Sequence, residues 1–437
     1  VWIVAQSGDA GLIQFTQNWN GTANTPGPFS ADVRKYLPAT PPVAGTTIPS
    51  TISAIDPEFR FPQTWKSSLA LDAKLPWGII GTLEGIYNKD LNIAKGFNVN
   101  LVEPTALNVT GYPDNRPMYP SANVNKFINK LTKGQASATG TGALNPVVLD
   151  NANEGHSWFL TATLNKSFNK GLSAQFSYTR SEQRVLYDGN GDQLFNTWSL
   201  TQTSRTGNNP GLSYSNFNVP HRIIAGLNYR KEYIKNLATS VSMFFEASHQ
   251  GRFSYTYSTD FNRDGQTNDL IYIPKDASEI TFEARPASSA TSNVAYTAQE
   301  QSDLFFYYVE QDDYLKKNKG KYAERSGAKL PWRNQVDIRL TQEIFKDFGK
   351  SKNNFQFTVD IMNFGNLLNS KWGTVNFVQT TAVLVPRNVS ALTTGGTTKP
   401  TFWLNTFNNK PISSTYGTSQ NFSSTYYMQF GFRYNFQ

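Results

Sequence analysis

The C-terminal stretch of the chain alternates with period two. Tyr426, Met428, Phe430, Phe432, Tyr434 and Phe436 fall on one side of an extended strand. Tyr427, Gln429, Gly431, Arg433, Asn435 and Gln437 fall on the other, because successive side chains of a strand point to opposite faces. A half-buried soluble strand usually runs for about five or six residues. This one alternates for roughly a dozen, and a tilted transmembrane β-strand needs about 9–11.

The same pattern recurs in pairs. Trp65, Leu69, Leu71, Ala73 and Leu75 alternate with Lys66, Ser68, Asp72 and Lys74; Leu75-Pro76-Trp77-Gly78 signals a tight turn; Ile79, Leu83 and Tyr87 then alternate with Thr82, Glu84 and Asn88. A second hairpin sets Trp158, Leu160, Ala162 and Leu164 against Thr161, Thr163 and Asn165, turns at Asn169-Lys170-Gly171, and continues with Leu172, Ala174, Phe176 and Tyr178. A third has Ile223, Ala225, Leu227 and Tyr229, a turn near Lys235-Asn236, then Val241, Met243, Phe245 and Ala247. A fourth has Val336, Ile338 and Leu340, a turn at Gly349 to Lys352, then Phe355, Phe357, Val359 and Ile361. Ile13 to Trp19 is a weaker candidate strand, and residues 23–60 read as a long loop rich in Pro, Thr, Ser and Gly.

Hairpins with short turns are thus separated by long polar segments at about 99–154 and 186–218, by a loop of roughly 70 residues after the third hairpin that includes 259–330, and by one more before the closing strand. Long structureless loops are uncommon in compact soluble domains, whereas outer-membrane barrels combine short periplasmic turns with long extracellular loops. The expected fold is all-β: a transmembrane antiparallel β-barrel segment with long extracellular loops and its chain end in the periplasm. Glu84, Arg222, Glu246, Asp337, Arg339, Asp360 and Arg433 all take the polar, lumen-facing register. About nine strands are clear. A soluble sandwich or a repeat protein is the competing architecture.

Composition agrees. Of 437 residues, 38% are hydrophobic, 16% charged and 14% aromatic, with 21 Tyr and 30 Phe, and the mean hydropathy is -0.46. Few charges with many aromatics suit a wall wet on one side and ringed by aromatic girdles. No apolar run of about 18 residues is present, which excludes a spanning helix. The absence of cysteine excludes disulfides and thiolate metal sites. The formal charge of +8 is spread singly, without a basic run or RNA-binding motif, so nucleic acid is not an expected partner.

One loop carries metal-like chemistry. Asp260-x-Asn262-x-Asp264-Gly265 places oxygen ligands at positions 1, 3 and 5 and glycine at 6, as a calcium loop begins. Gln266, Asn268 and Asp269 complete a candidate set for Ca²⁺ or Mg²⁺; Ile271 stands where a bidentate Glu is usual. The alternative is an Asx-rich turn. Asp188-Gly189-Asn190-Gly191-Asp192 is a weaker copy. His156, His221 and His249 share no ligand spacing, and Ser248 and His249 would point to opposite faces. No nucleophile motif occurs, and no enzyme activity is expected. Tyr255, Tyr257, Phe305, Phe306, Tyr307 and Tyr308 would either pack the third long loop or contact a substrate.

Phe61-Pro62-Gln63-Thr64-Trp65-Lys66, Leu75 to Gly78, Ile86-Tyr87-Asn88-Lys89-Asp90, Asp114-Asn115-Arg116-Pro117 and Pro220-His221-Arg222-Ile223 occur in order. So do Asp260 to Asp269, Trp332 to Asp337 and Asp360 to Asn369. Together they resemble the barrel of TonB-dependent outer-membrane receptors, in the Oar-like group related to SusC-like transporters. The likeness covers about residues 57–437. It implies the C-terminal part of a barrel of roughly 22 strands in the outer membrane of a Gram-negative bacterium. It also implies import of a bulky nutrient through a plugged lumen. The implied partners are outer-membrane lipid and lipopolysaccharide, an N-terminal barrel half with its plug, the TonB complex acting through that plug, and a lipoprotein or secretion-machinery component. No signal peptide or plug is recognisable within residues 1–437, so both are expected from outside them. Gln437, rather than the usual aromatic, ends the chain. Two other readings stay open: a structural or interaction subunit of a larger outer-membrane assembly, and a small passive pore.

Overall fold

The computed structural model describes residues 30–32, 35, 51–130, 142–189, 191, 193–234, 237–288, 294–346 and 353–436. The candidate strand Ile13 to Trp19, the turns at 235–236 and 349–352, and Gln437 lie outside the described residues. Within them, nine long strands form one up-and-down antiparallel sheet. They are β1 (Gln63–Leu75), β2 (Ile79–Leu91), β3 (His156–Ser167), β4 (Leu172–Val185), β5 (His221–Ile234), β6 (Leu237–His249), β7 (Trp332–Lys346), β8 (Asn353–Met362) and β9 (Tyr427–Phe436), each paired with its neighbours in chain order. Among the described residues the sheet is open. β1 and β9 each pair on one side only, and no closed barrel is formed. No helix there is long and apolar enough to cross a membrane.

The pairing register sorts the side chains cleanly. One row on the apolar face runs Ala73, Gly81, Leu164, Phe176, Ala225, Phe245, Val336 from β1 to β7. A lower row runs Ala174, Leu227, Met243, Ile338, Ile361, Met428 from β4 to β9. Among the described residues most of this face is uncovered. Leu69, Leu71, Leu83, Leu160, Leu164, Phe176, Leu227, Met243, Phe430 and Phe432 are all exposed.

The opposite face is hydrogen-bonded across strands. Thr82 donates to Asp72 (2.5 Å), Thr163 meets Ser177 (3.0 Å), Arg222 pairs with Glu246 (2.8 Å) and Arg339 with Asp360 (2.9 Å). Ile80, Ile86, Phe159, Ile224 and Phe244 are among the apolar exceptions there; Ile224 lies opposite Glu246 and Phe244 opposite Asp337.

Two local devices maintain this sorting. Trp77 (φ 61°) and Gly78 (φ 70°) turn β1 into β2, and Lys170 (φ 70°) and Gly171 (φ 82°) turn β3 into β4. Successive left-handed residues match the twist of a hairpin, at a cost of about 1–2 kcal/mol for a non-glycine residue. In β7 the register shifts by one residue between Glu343 and Phe345. Such a bulge exchanges the two faces. It returns Phe345 to the apolar face, stacked on Phe355 at 5.8 Å between centroids.

The long connections are folded, contrary to their irregular appearance in the sequence. They build a headpiece at the ends of the strands remote from the short turns. A four-stranded sheet there joins Thr256–Tyr257, Ala382–Pro386, Thr401–Leu404 and Thr281–Phe282. A core of Leu107, Tyr255, Tyr257, Phe261, Phe305, Tyr308, Val383 and Phe402 draws on three connections. A second cluster around Val147, Leu194 and Trp198 joins the first two. Thr51–Ile55, inside the expected loop 23–60, is instead a strand paired in parallel with Asn145–Ala152. The helix α1 (Ala298–Gln311) opens on a capping box. Glu300 N donates to Thr297 Oγ1 (3.1 Å) and Thr297 N donates to Glu300 Oε2 (2.7 Å). Its buried face carries Gln301, Phe305, Tyr308 and Val309. The loop aromatics therefore divide. Tyr255, Tyr257, Phe305 and Tyr308 are core, Phe306 packs against it, and only Tyr307 is exposed.

Candidate functional site

The Asp260–Asp269 loop sits inside the headpiece. Asp260 Oδ1 accepts from Arg263 N (2.6 Å) and its Oδ2 from Gly265 N (2.7 Å). Gly265 adopts φ 92°, a conformation glycine takes without strain. Asn262 Oδ1 accepts from Asp264 N (2.8 Å), and Asp264 Oδ1 from Gln266 N (2.8 Å). Asp269 Oδ2 closes the loop by accepting from Phe261 N (2.7 Å) and Asn262 N (3.2 Å). Asn268 donates to Ser199 O (3.0 Å), and its Oδ1 is buried without a hydrogen-bond partner.

This is a chain of Asx turns held by backbone amides. Among the described residues no three His, Cys, Asp or Glu side chains are grouped as a metal cage. Ile271, at the twelfth position, is a core residue.

Burial works against ionisation of the loop's carboxyls. Asp260, Asp264 and Asp269 are all held above the ordinary carboxylate range. Burial is the leading cause for each, and for Asp264 the neighbouring Asp269 and Asp260 add to it. Asp269 is pushed up to about 7 by burial and Asp260, against the opposing pull of Arg116. Lys126, also buried, is lowered by burial while Asp260 and Asp264 oppose that shift. The six residues of the candidate set thus lie on one loop, with Lys126 and Arg116 from the first long connection as counter-charges.

Arg116 is what the sequence reading missed as a structural centre, although Asp114-x-Arg116 stood among its motifs. The guanidinium is fully buried. It lies 2.8 Å from Asp114 and 3.3 Å from Asp269, and donates to Leu270 O at 2.8 Å. The rings of Tyr257, Phe261 and Tyr322 surround it at 4.8–5.5 Å from their centroids. Five fixed donors and a planar face suit arginine to such a site.

The remaining candidates are structural. Asp188 accepts from Ser215 Oγ (2.7 Å) and Asn216 N (3.0 Å); Asn190 and Asp192 lie outside the described residues. The three histidines occupy outer strand ends on the apolar face; His221 and His249 flank Trp332, at 6.4 Å and 4.8 Å between centroids, and His156 lies apart on β3. His221 Nδ1 is 2.7 Å from the Tyr178 hydroxyl, and His249 lies against Trp332. No protein-family model matches this chain, and no curated protein matches it.

Proposed function

We propose that the nine-strand sheet is part of the wall of an outer-membrane β-barrel of the TonB-dependent receptor type. In this reading the chain takes part in importing a bulky nutrient, with the headpiece on the outside. The observation that carries it is the uncovered apolar face, continuous over nine strands, set against a hydrogen-bonded polar face. In water such a face would be an aggregation surface; in lipid it needs no partner. Charged residues of the apolar register gather at its two ends: Lys166 near the short turns, and Arg180 opposite Leu160, Glu182 opposite Trp158 and Lys89 opposite His156 toward the headpiece. The residues that line the opposite face are those expected of a wet lumen.

The free sides of β1 and β9 then pair with further strands, because an unpaired edge in lipid costs several kcal/mol per unsatisfied backbone group. The raised carboxyls of Asp264 and Asp269 support a divalent cation, Ca²⁺ or Mg²⁺, in the 260–269 loop. Asp260, Asn262 and Asp264 would hold it, and its role would be structural. The barrel reading is tested by refolding residues 1–437 in detergent and measuring heat-modifiability and protease resistance. An incompletely closed species that becomes heat-modifiable only with an added strand donor supports a wall section. A closed, ion-conducting monomer transfers the assignment to a passive pore, and a water-soluble monomer removes the membrane reading.

A further inference from the structure

We propose that the polar face of β6–β9 carries a subsite for the cationic side chain of a basic peptide residue. The inference rests on the lumen assignment above and names a substrate class for it. Two adjacent rows of the pairing register build the site. In the upper row Phe244 of β6 lies opposite Asp337 of β7, and Met362 of β8 opposite Tyr427 of β9. In the lower row Ser242, Arg339, Asp360 and Gln429 follow one another from β6 to β9. The two rows line a concavity of about 500 Å³, within the range of ligand sites.

Three features set this patch apart from a plain wet wall. Phe244 and Tyr427 take the polar register yet are 42% and 38% exposed, so both rings offer apolar surface to the lumen. Phe422 stacks on Tyr427 at 4.9 Å between centroids and extends the aromatic end. Asp337 is held by neutral donors: Gln335 Nε2 donates to Oδ1 (3.0 Å) and Oδ2 (3.1 Å), and Asn363 N donates to Oδ1 (2.8 Å). Among the described residues no Lys or Arg forms an ion pair with Asp337, whereas Asp360 is bound twice by Arg339, through Nε at 2.5 Å and Nη2 at 2.9 Å. Asp337 is thus the uncompensated charge of the two rows.

These features select the occupant. An oriented carboxylate without a counter-charge, beside an exposed phenyl ring, attracts an organic cation through its charge and through the ring quadrupole. Neighbouring strands stand about 4.8 Å apart, so Tyr427 lies roughly 10 Å along the row from Asp337. The Met362 position lies between them and leaves apolar surface for an aliphatic stem. Gln429 and the Arg339–Asp360 pair present donors and acceptors to backbone amides. Cation, stem and amides together describe an arginine or lysine within a peptide; a free amine lacks the last of these.

The test titrates the full-length protein in mild detergent, by calorimetry, with three probes: capped Ala-Arg-Ala, the same peptide with neutral citrulline in place of arginine, and agmatine. We expect saturable binding of the arginine peptide. The citrulline peptide should bind more weakly by about tenfold or more, the scale of losing one charge-assisted contact, and agmatine more weakly than the arginine peptide. D337N should lower affinity for the arginine peptide by about tenfold and leave the citrulline peptide unaffected. F244L should lower it by about threefold. E84Q removes a carboxylate of the same polar face outside the pocket and should bind as the parent does. Absent binding of the arginine peptide, equal binding of the citrulline peptide, unchanged affinity in D337N, or the same loss in E84Q overturns the proposal with the membrane reading intact. Agmatine binding as tightly as the peptide overturns the peptide assignment in favour of a free amine. A parent protein that is water-soluble without detergent, and still binds the arginine peptide through Asp337, removes the membrane reading and leaves the site.

Discussion

Arg116 Nη1 lies 3.3 Å from Asp269 Oδ1, both side chains fully buried, although 153 residues separate them in the sequence. The pair ties the first long connection to the third and fastens the carboxylate loop to the headpiece core. Replacing Arg116 by Met leaves Asp114 and Asp269 buried without their counter-charge. Breaking a buried pair from one side costs about 3–5 kcal/mol. R116M should therefore lower the headpiece transition in a denaturant melt by that amount. R116K should recover little of it, because a point charge does not reproduce the bidentate bond to Asp114. A melt of R116M matching the parent would remove Arg116 from this role.

The raised carboxyls give a pH dependence with a definite sign. Between the ordinary Asp range near 4 and about 7 for Asp269, the folded headpiece holds a proton that the unfolded chain has released. Stability without added cation therefore falls as pH rises through this window. A divalent ion offsets the ionised carboxylates. Added Ca²⁺ should raise the melting temperature at pH 8 and leave it nearly unchanged at pH 5. D264N should abolish the calcium effect and flatten the pH dependence. A calcium-independent melt at pH 8 would leave the loop as an Asx turn alone.

Leu227 and Phe430 occupy the apolar face, whereas Gln175 occupies the polar one. L227R and F430R should each cost about 2–4 kcal/mol if these positions lie near a bilayer midplane, and should abolish insertion in an in vivo assembly assay. Q175R should insert normally. The same outcome for all three variants would contradict the assignment of faces.

Thr267 is exposed on the headpiece and the chain contains no cysteine. T267C should react with a membrane-impermeant maleimide on intact cells, because the headpiece lies on the side away from the short turns. Labelling only after lysis would invert the topology.

The sheet was legible from residue alternation because a β-strand has a period of two and each of these strands keeps one face apolar over most of its length. Nine strands, their chain-order pairing and the positions of the short turns are local properties. Alternation alone placed Leu71 with Leu83 and Phe357 with Phe430 on one face. The bulge near Phe345 was not legible, because a one-residue register shift is decided by which partner Phe345 stacks upon. The headpiece was hidden for a related reason. Its strands are mostly two to five residues long, too short for a period, and its core is assembled from Leu107, Tyr255, Phe305 and Phe402, which come from three different connections. The helix α1 did leave a signal, Thr297-x-x-Glu300 ahead of Phe305 and Tyr308. The candidate ion loop divides the same way. Its oxygen ligands and Gly265 follow from local spacing, but the raised carboxyls of Asp264 and Asp269 arise only when folding removes them from water close to one another and to Asp260. Spacing along a chain records which groups can meet; burial, which depends on every segment at once, decides what their meeting costs.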